Sequence, residues 1–217
     1  MDILKSEIAA YKAAMKEKVP DSVRAIMAQC TTDIKESGIE NRALRTGDMM
    51  PDFELANQHN EQKRLSDYLA NSPVVLNIYR GGWCPYCNME MKALQSVQNE
   101  IESHGATLVG MAPETPDRAL STAERAGIAI DILSDSGNRV AEQMGLVFEL
   151  PQALRPIYEK FGIDIPGFNG DDSFRLPVPA TYIIGQDGVI LYDFVNADYT
   201  QRLEPAEIVA ILARAGK

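Results

Sequence analysis

The chain has 217 residues, 45% hydrophobic and 24% charged, with a formal net charge of −10. That length suits one well-buried domain with room for an appendage, and the acidic balance argues against a nucleic-acid or anionic-membrane surface, since both favour clustered Lys and Arg. No stretch approaches the roughly 20 apolar residues of a membrane-spanning helix, and three cysteines are too few for a disulfide scaffold, so a reducing cytoplasm is the expected home.

Residues 1–45 read as a helical extension. Ile3, Ile8, Ala9 and Met15, then Val23, Ile26, Met27 and Ile34, recur at helical spacing. The polar start "MDILKSEIAAYKAAMKEKVP" is a helix pattern and not a secretory leader, and Pro20-Asp21-Ser22 divides the region into at least two helices. From about Thr46 the texture changes to alternating strands and helices, so residues 46–217 are expected to form the main domain. "DFELAN" reads as a strand, "RLSDYLA" as a short helix and "VVLNIY" (74–79) as a buried strand. A long helix is expected from about Cys84 to His104. "ATLVGMA" then reads as a strand, "TPDRALSTAERAG" as a helix, "AIDILSD" as a strand and "NRVAEQMG" as a short helix. Residues 165–179, rich in Gly, Pro and Asp, are expected to be the longest loop. "ATYIIGQDGVILYDFV" is a hairpin turning at Asp187-Gly188, and an amphipathic helix closes the chain. The pattern implies an α/β fold with a mixed sheet covered by helices on both faces.

The segment "YRGGWCPYCNMEMKAL" (79–94) carries the chemistry. A buried strand ends, two glycines loosen the backbone, and a helix begins near Cys84. Cysteines at a helix N-terminus lie beside unpaired N–H groups and the positive end of the dipole, which favour the reactive thiolate. Cys84 and Cys87, with two residues between them around the first turn, can close a disulfide between themselves, and Pro85 suits the first helical position, where no N–H is needed. A zinc site would require two further ligands, and Cys30, His59 and His104 offer no paired spacing. Dithiol redox chemistry without metal or cofactor is therefore the reading.

The chain from about Gly47 onward resembles the peroxiredoxin-like branch of the alkyl hydroperoxide reductase/thiol-specific antioxidant family, which has a thioredoxin-like fold. The stretches that carry the resemblance are "GDMMPDFEL", "LSDYL", "VVLNIYRGGWCPYCNMEMKAL", "APETP", "ILSDSGNRVAEQMGLVF", "VPATYIIGQDGVI" and "ADYTQRLEP". In the family register Cys87 takes the peroxide-reactive position, and Glu90 three residues later matches. Arg80 stands where the signature has Pro, and Cys84 where it has Thr or Ser. Pro179, followed by Thr181 in "VPAT", resembles the cis-proline that faces the cysteines in thioredoxins, so a cis Val178–Pro179 bond against the Cys84–Cys87 turn is expected.

Trp83 and Tyr86 flank the cysteines and are candidates for the surface that a peroxide or partner approaches. Arg80 is a candidate for stabilising a thiolate or developing anion. Glu90 is a candidate proton shuttle, and Arg175 and Arg202 are weaker candidates. Cys30 reads as a small buried apolar residue, and His59 and His104 as surface residues. The resemblance implies a thiol peroxidase that reduces hydrogen peroxide or organic hydroperoxides through a Cys84/Cys87 dithiol–disulfide cycle, with thioredoxin or a similar thiol donor as reductant. The Cys-x-x-Cys pattern keeps a protein dithiol–disulfide oxidoreductase and a redox-sensing module as alternatives. Neither a nucleic acid nor a membrane is an expected partner. The apolar stripe of the N-terminal helices needs a burial place, on the domain's own sheet or on a second copy, and a homodimer is the preferred expectation.

Overall fold

The structure, a computed structural model, describes residues 3–215. The extension forms α1 (Ile3–Lys18), α2 (Asp21–Glu36) and the short α3 (Ile39–Arg42). Pro20 separates the first two in an extended conformation and caps α2 by accepting the Val23 and Arg24 N–H groups through its carbonyl. The main body follows as β1 (Glu54–Asn57), β2 (Gln62–Arg64), α4 (Leu65–Leu69), β3 (Val74–Ile78), α5 (Pro85–Ser96), α6 (Gln98–Ser103), β4 (Thr107–Ala112), α7 (Pro116–Ala126) and β5 (Asp131–Ser134). It continues with α8 (Arg139–Gln143), β6 (Val147–Glu149), α9 (Arg155–Lys160), α10 (Ile165–Asn169), β7 (Arg175–Pro177), β8 (Ala180–Ile184), β9 (Ile190–Val195) and α11 (Pro205–Ala215).

Seven strands make one mixed sheet in the order β2-β1-β5-β4-β3-β8-β9, while β6 and β7 pair separately. The strands β3, β4 and β5 run parallel; β8 lies antiparallel beside β3, and β9 antiparallel beside β8. Successive side chains of a strand face opposite sides, and β3 shows what this does. Val74, Leu76 and Ile78 enter a core with Leu65, Leu69, Val140 and Met144, whereas Val75 and Tyr79 enter a second core with both cysteines, Met91, Leu94, Ile208 and Leu212. The sheet is thus covered on both faces, and the cysteines belong to the face under α5 and α11. No helix among the described residues is long and apolar enough to cross a membrane.

Two expectations require correction. The segment 165–179 is not one loop: Asp164 accepts the Gly167 N–H at 3.0 Å and starts α10, and β7 pairs with β6 through Leu176↔Phe148. Local composition indicated turns, but a strand from 28 residues upstream supplied the ladder. The helix from Cys84 to His104 breaks at Val97 (φ −109°, ψ 9°), which lets both Leu94 and Ile101 enter the same core.

The apolar stripe of α1 and α2 is only partly buried within this chain: Ile3 and Ile26 are exposed, and Met15, Val23, Met27 and Ile34 are half-buried. Leu4, Ile8 and Val19 are buried, and Cys30 joins Leu154, Ile157 and Tyr158 in a third core. The Glu204 carboxylate fastens the start of α1 by accepting the Lys5 N–H at 2.5 Å and the Leu4 N–H at 3.3 Å, where a negative charge complements the helix dipole. His59 and His104 are exposed.

Candidate active site

The loop between β3 and α5 is shaped by two glycines. Gly81 has φ +136°, and a Cβ there would sit 2.6 Å from Trp83 Nε1; a Cβ on Gly82 would lie 2.0 Å from Thr122 Oγ1. Only glycine fits either position. Asn88 donates to the Gly82 carbonyl at 2.8 Å, and Glu114 accepts the Gly82 N–H at 2.9 Å. Burial pushes the Glu114 carboxyl up to about 7, against the lowering effect of that Gly82 hydrogen bond.

Cys84 is the N-cap of α5 and Pro85 occupies its first turn; Cys87, two residues further on, lies in that turn as well. Both cysteines are free and fully buried. Each has its own arginine. Arg80 Nη2 donates to Cys84 Sγ at 3.1 Å, and Arg202 Nη2 donates to Cys87 Sγ at 3.4 Å. Burial alone would push both thiols up. At Cys84 the Cys87 hydrogen bond and the two guanidiniums overcome this and hold the thiol well below its usual range. Burial and the same hydrogen bond, with the adjacent Cys84 charge, push Cys87 well above its own. Of the two sulfurs, Cys84 is thus the one whose surroundings favour the thiolate form.

Behind Cys87 lies a buried polar chain. Arg202 Nε is 2.6 Å from Glu90 Oε2, with both side chains almost wholly inaccessible. Burial pushes the Glu90 carboxyl up to about 7, while Arg202 and Asn77 work to lower it. Asn77 also donates to Thr181 Oγ1 at 3.2 Å. In front of Cys84 lies an aromatic layer. The Arg80 guanidinium stacks 4.0 Å over the Tyr199 ring and 5.0 Å from that of Trp83, and donates to the Tyr158 hydroxyl at 3.1 Å. Tyr86 packs edge-on between Tyr199 (5.5 Å) and Tyr11 of α1 (5.3 Å). A cavity of about 770 Å³ opens between this layer and the two N-terminal helices.

The structure therefore gathers Arg80, Trp83, Pro85, Tyr86 and Glu90 around the two cysteines. Thr181 contacts Asn77, one step further away. The peptide bonds of the described residues are all trans, so the expected cis Val178–Pro179 bond is not formed. Pro179 is buried in the two-residue link between β7 and β8, and Ala180, the first residue of β8, pairs with Ile78. Arg175 does not reach the site, because its guanidinium pairs with Glu142. Arg202 is more important than its position suggests, and Tyr11, Asn77, Glu114, Tyr158 and Tyr199 join the site without a local signal.

Residues 46–193 match the AhpC/TSA family. The chain belongs to that family. Among relatives of this AhpC/TSA chain, a putative peroxiredoxin of Mycobacterium tuberculosis is 32% identical over 114 residues, covering 52% of this chain and 74% of its own length. The peroxiredoxin Bcp of Escherichia coli is 28% identical over 103 residues, covering 48% of this chain and 65% of its own. The crystal structure of peroxidoxin BcpB from M. tuberculosis superposes with a TM-score of 0.62 at 24% identity, over 79% of this chain and 97% of that one. A mutant of PrxQ from Xylella fastidiosa gives 0.63 at 17%, over 80% and 98%. The thioredoxin-like peroxiredoxin fold is thus shared by this AhpC/TSA chain. Its α1, α2, Tyr199 and Arg202 lie outside the matched family residues.

Proposed function

We propose that this AhpC/TSA-family protein is a thiol-dependent peroxidase working through a Cys84/Cys87 dithiol–disulfide cycle. The observation that carries the residue assignment is the Arg80–Cys84 contact of 3.1 Å at the edge of the cavity. In this reading the Cys84 thiolate attacks the outer oxygen of a hydroperoxide, an S–O bond forms and the O–O bond breaks. The departing oxygen leaves as water or alcohol after taking a proton, and Cys84 becomes a sulfenic acid. Arg80 stabilises the negative charge on the attacking sulfur and then on the leaving oxygen. Cys87 then attacks the sulfenic sulfur, water departs, and a Cys84–Cys87 disulfide remains. An external dithiol, of thioredoxin type, returns two electrons by thiol–disulfide exchange.

The family match and the peroxiredoxin relatives support peroxide over a protein disulfide as the oxidising substrate. The register of the family signature favours Cys87 as the attacking sulfur; the electrostatics of the pair favour Cys84. Trapping with dimedone decides. Cys87→Ser should accumulate a trappable sulfenic acid at Cys84, while Cys84→Ser should form none; the reverse result would move the attack to Cys87. A wild-type protein that consumes no peroxide with any dithiol donor would sink the peroxidase reading. The three unpaired cysteines suit a reducing compartment such as the cytoplasm. The exposed Ile3 and Ile26 and the half-buried Met15 and Met27 keep a homodimer within this reading.

A further inference from the structure

The Arg80–Cys84 contact spans a turn that opens with two glycines, Gly81 and Gly82, and closes where the Cys84 N–H donates to the Gly81 carbonyl at 3.1 Å. Adjacent glycines are the loosest link a backbone can have. Here they join a guanidinium to the sulfur whose thiolate it favours. What holds them comes from outside the turn. Glu114, just beyond β4, accepts the Gly82 N–H at 2.9 Å, and Asn88 of α5 donates to the Gly82 carbonyl at 2.8 Å. Both backbone groups of Gly82 are thus engaged by side chains from two different parts of the fold.

Glu114 is fitted to this one contact. Its side chain is wholly buried, and its second oxygen, Oε2, has no hydrogen-bond partner; neither have Trp83 Nε1 and Thr122 Oγ1. Trp83 Nε1 and the Glu114 carboxyl carbon both lie within 3.2 Å of the point where a Gly81 Cβ would sit, so the carboxyl presses directly on the turn. Arg125 and Arg118 of α7 face it only at longer range, as does the buried Tyr79 that follows β3. A carboxyl pushed up to about 7 by burial costs stability at neutral pH, and groups held at such a cost cluster at functional sites. Glu114 does not line the cavity beside Arg80, so its route to the chemistry runs through Gly82.

We propose that Glu114 is a positioning residue for Cys84. Through the Gly82 N–H, and with Asn88 as the second clamp on the Gly82 carbonyl, it fixes the turn that sets the distance between Arg80 and the sulfur. The inference rests on the reading of Cys84 as the attacking sulfur and deepens it. The same guanidinium meets the thiolate before reaction and the departing oxygen during it, and its effect falls with every increase in distance that a slack turn would allow. A carboxyl or a carboxamide at position 114 can accept the Gly82 N–H; a methyl group cannot.

The test compares Glu114→Ala, which removes acceptor and charge, with Glu114→Gln, which removes the charge alone. Asn88→Ala releases the same glycine from α5 at a half-buried position. Thiolate absorbance against pH is read on each full-length reduced protein, with Cys84→Ser identifying the Cys84 step and circular dichroism checking the fold. Glu114→Ala and Asn88→Ala should each raise the Cys84 midpoint by about one pH unit, while Glu114→Gln should stay near the wild-type midpoint. A folded Glu114→Ala or Asn88→Ala protein with the wild-type midpoint would overturn the proposal. So would a Glu114→Gln midpoint raised as far as either alanine variant, since charge and not the hydrogen bond would then be responsible. Should Glu114→Ala fail to fold, the Asn88→Ala and Glu114→Gln midpoints decide by the same criteria. The expected shifts in a protein whose wild type consumes no peroxide would leave the clamp standing and strike the peroxidase reading alone.

Discussion

Arg80 contacts Cys84 sulfur at 3.1 Å while its guanidinium plane rests 4.0 Å above the Tyr199 ring. The arginine is thereby held by a residue from the far end of the chain, and the charge that lowers the Cys84 thiol is aimed rather than free to rotate into solvent. Arg80→Met should raise the Cys84 thiol, because burial is then opposed by less positive charge. Peroxide consumption at neutral pH should fall at least about tenfold, with the activity profile displaced to higher pH. Ultraviolet absorbance of the thiolate against pH measures this directly. A variant with the wild-type thiolate titration would show that Arg80 does not set it.

Arg202 and Glu90 form a buried pair whose removal is expected to be asymmetric. Arg202→Met leaves a carboxylate without its partner and should cost about 3–5 kcal/mol in denaturant unfolding. The double variant Arg202→Met/Glu90→Gln should recover part of that loss. Equal stability of the single and double variants would mean that the pair is not coupled.

Glu114 and Glu90 both have carboxyls raised to about 7 from an ordinary value of 4.5. The folded state therefore holds these protons more tightly than the unfolded state. Their contribution is fully favourable below pH 4.5 and is lost as pH rises through about 7. Glu114→Gln keeps an acceptor for the Gly82 N–H and cannot ionise. Its stability relative to wild type should improve by about 2 kcal/mol between pH 5 and pH 8. Unfolding midpoints across that range test the sign, and a parallel pair of curves would remove Glu114 from the account.

Gly82→Ala would drive a Cβ into Thr122. The expected loss is about 1–3 kcal/mol, with impaired peroxide consumption because the same loop carries Cys84. Adding Thr122→Ala should restore part of the stability. A fully stable and active Gly82→Ala protein would show that the loop can shift freely.

Glu204→Gln should weaken the fastening of α1, since a neutral amide accepts the Leu4 and Lys5 N–H groups less strongly at a helix N-terminus. The expected cost is about 0.5–1 kcal/mol. Limited proteolysis within α1 should accelerate, and an unchanged cleavage rate would count against this anchor.

Much of the architecture was legible because its signals are local. The buried run 74–79, the Asp187-Gly188 turn and the helix opening at Cys84 each depend on periodicity, turn chemistry or capping within a few residues. The segment 165–179 was not legible, because β7 exists only through its pairing with β6. The trans bond before Pro179 was not legible either, because the resemblance supplied a motif and no local residue pattern specifies the isomer.

By itself the sequence determined that two cysteines, spaced to meet each other, begin a helix after a buried strand, with Arg80, Trp83, Pro85, Tyr86 and Glu90 carried along by adjacency. Only the tertiary structure decided which charges surround each sulfur. Arg202 reaches Cys87 from 115 residues away, Tyr199 holds Arg80, and α1 and α2 line a cavity together with Arg80, Trp83 and Tyr86. Short-range patterns specify elements because backbone geometry repeats every two or 3.6 residues. The field at a buried sulfur depends on distances through the folded chain and on the exclusion of water, and neither is written in the spacing of residues along it.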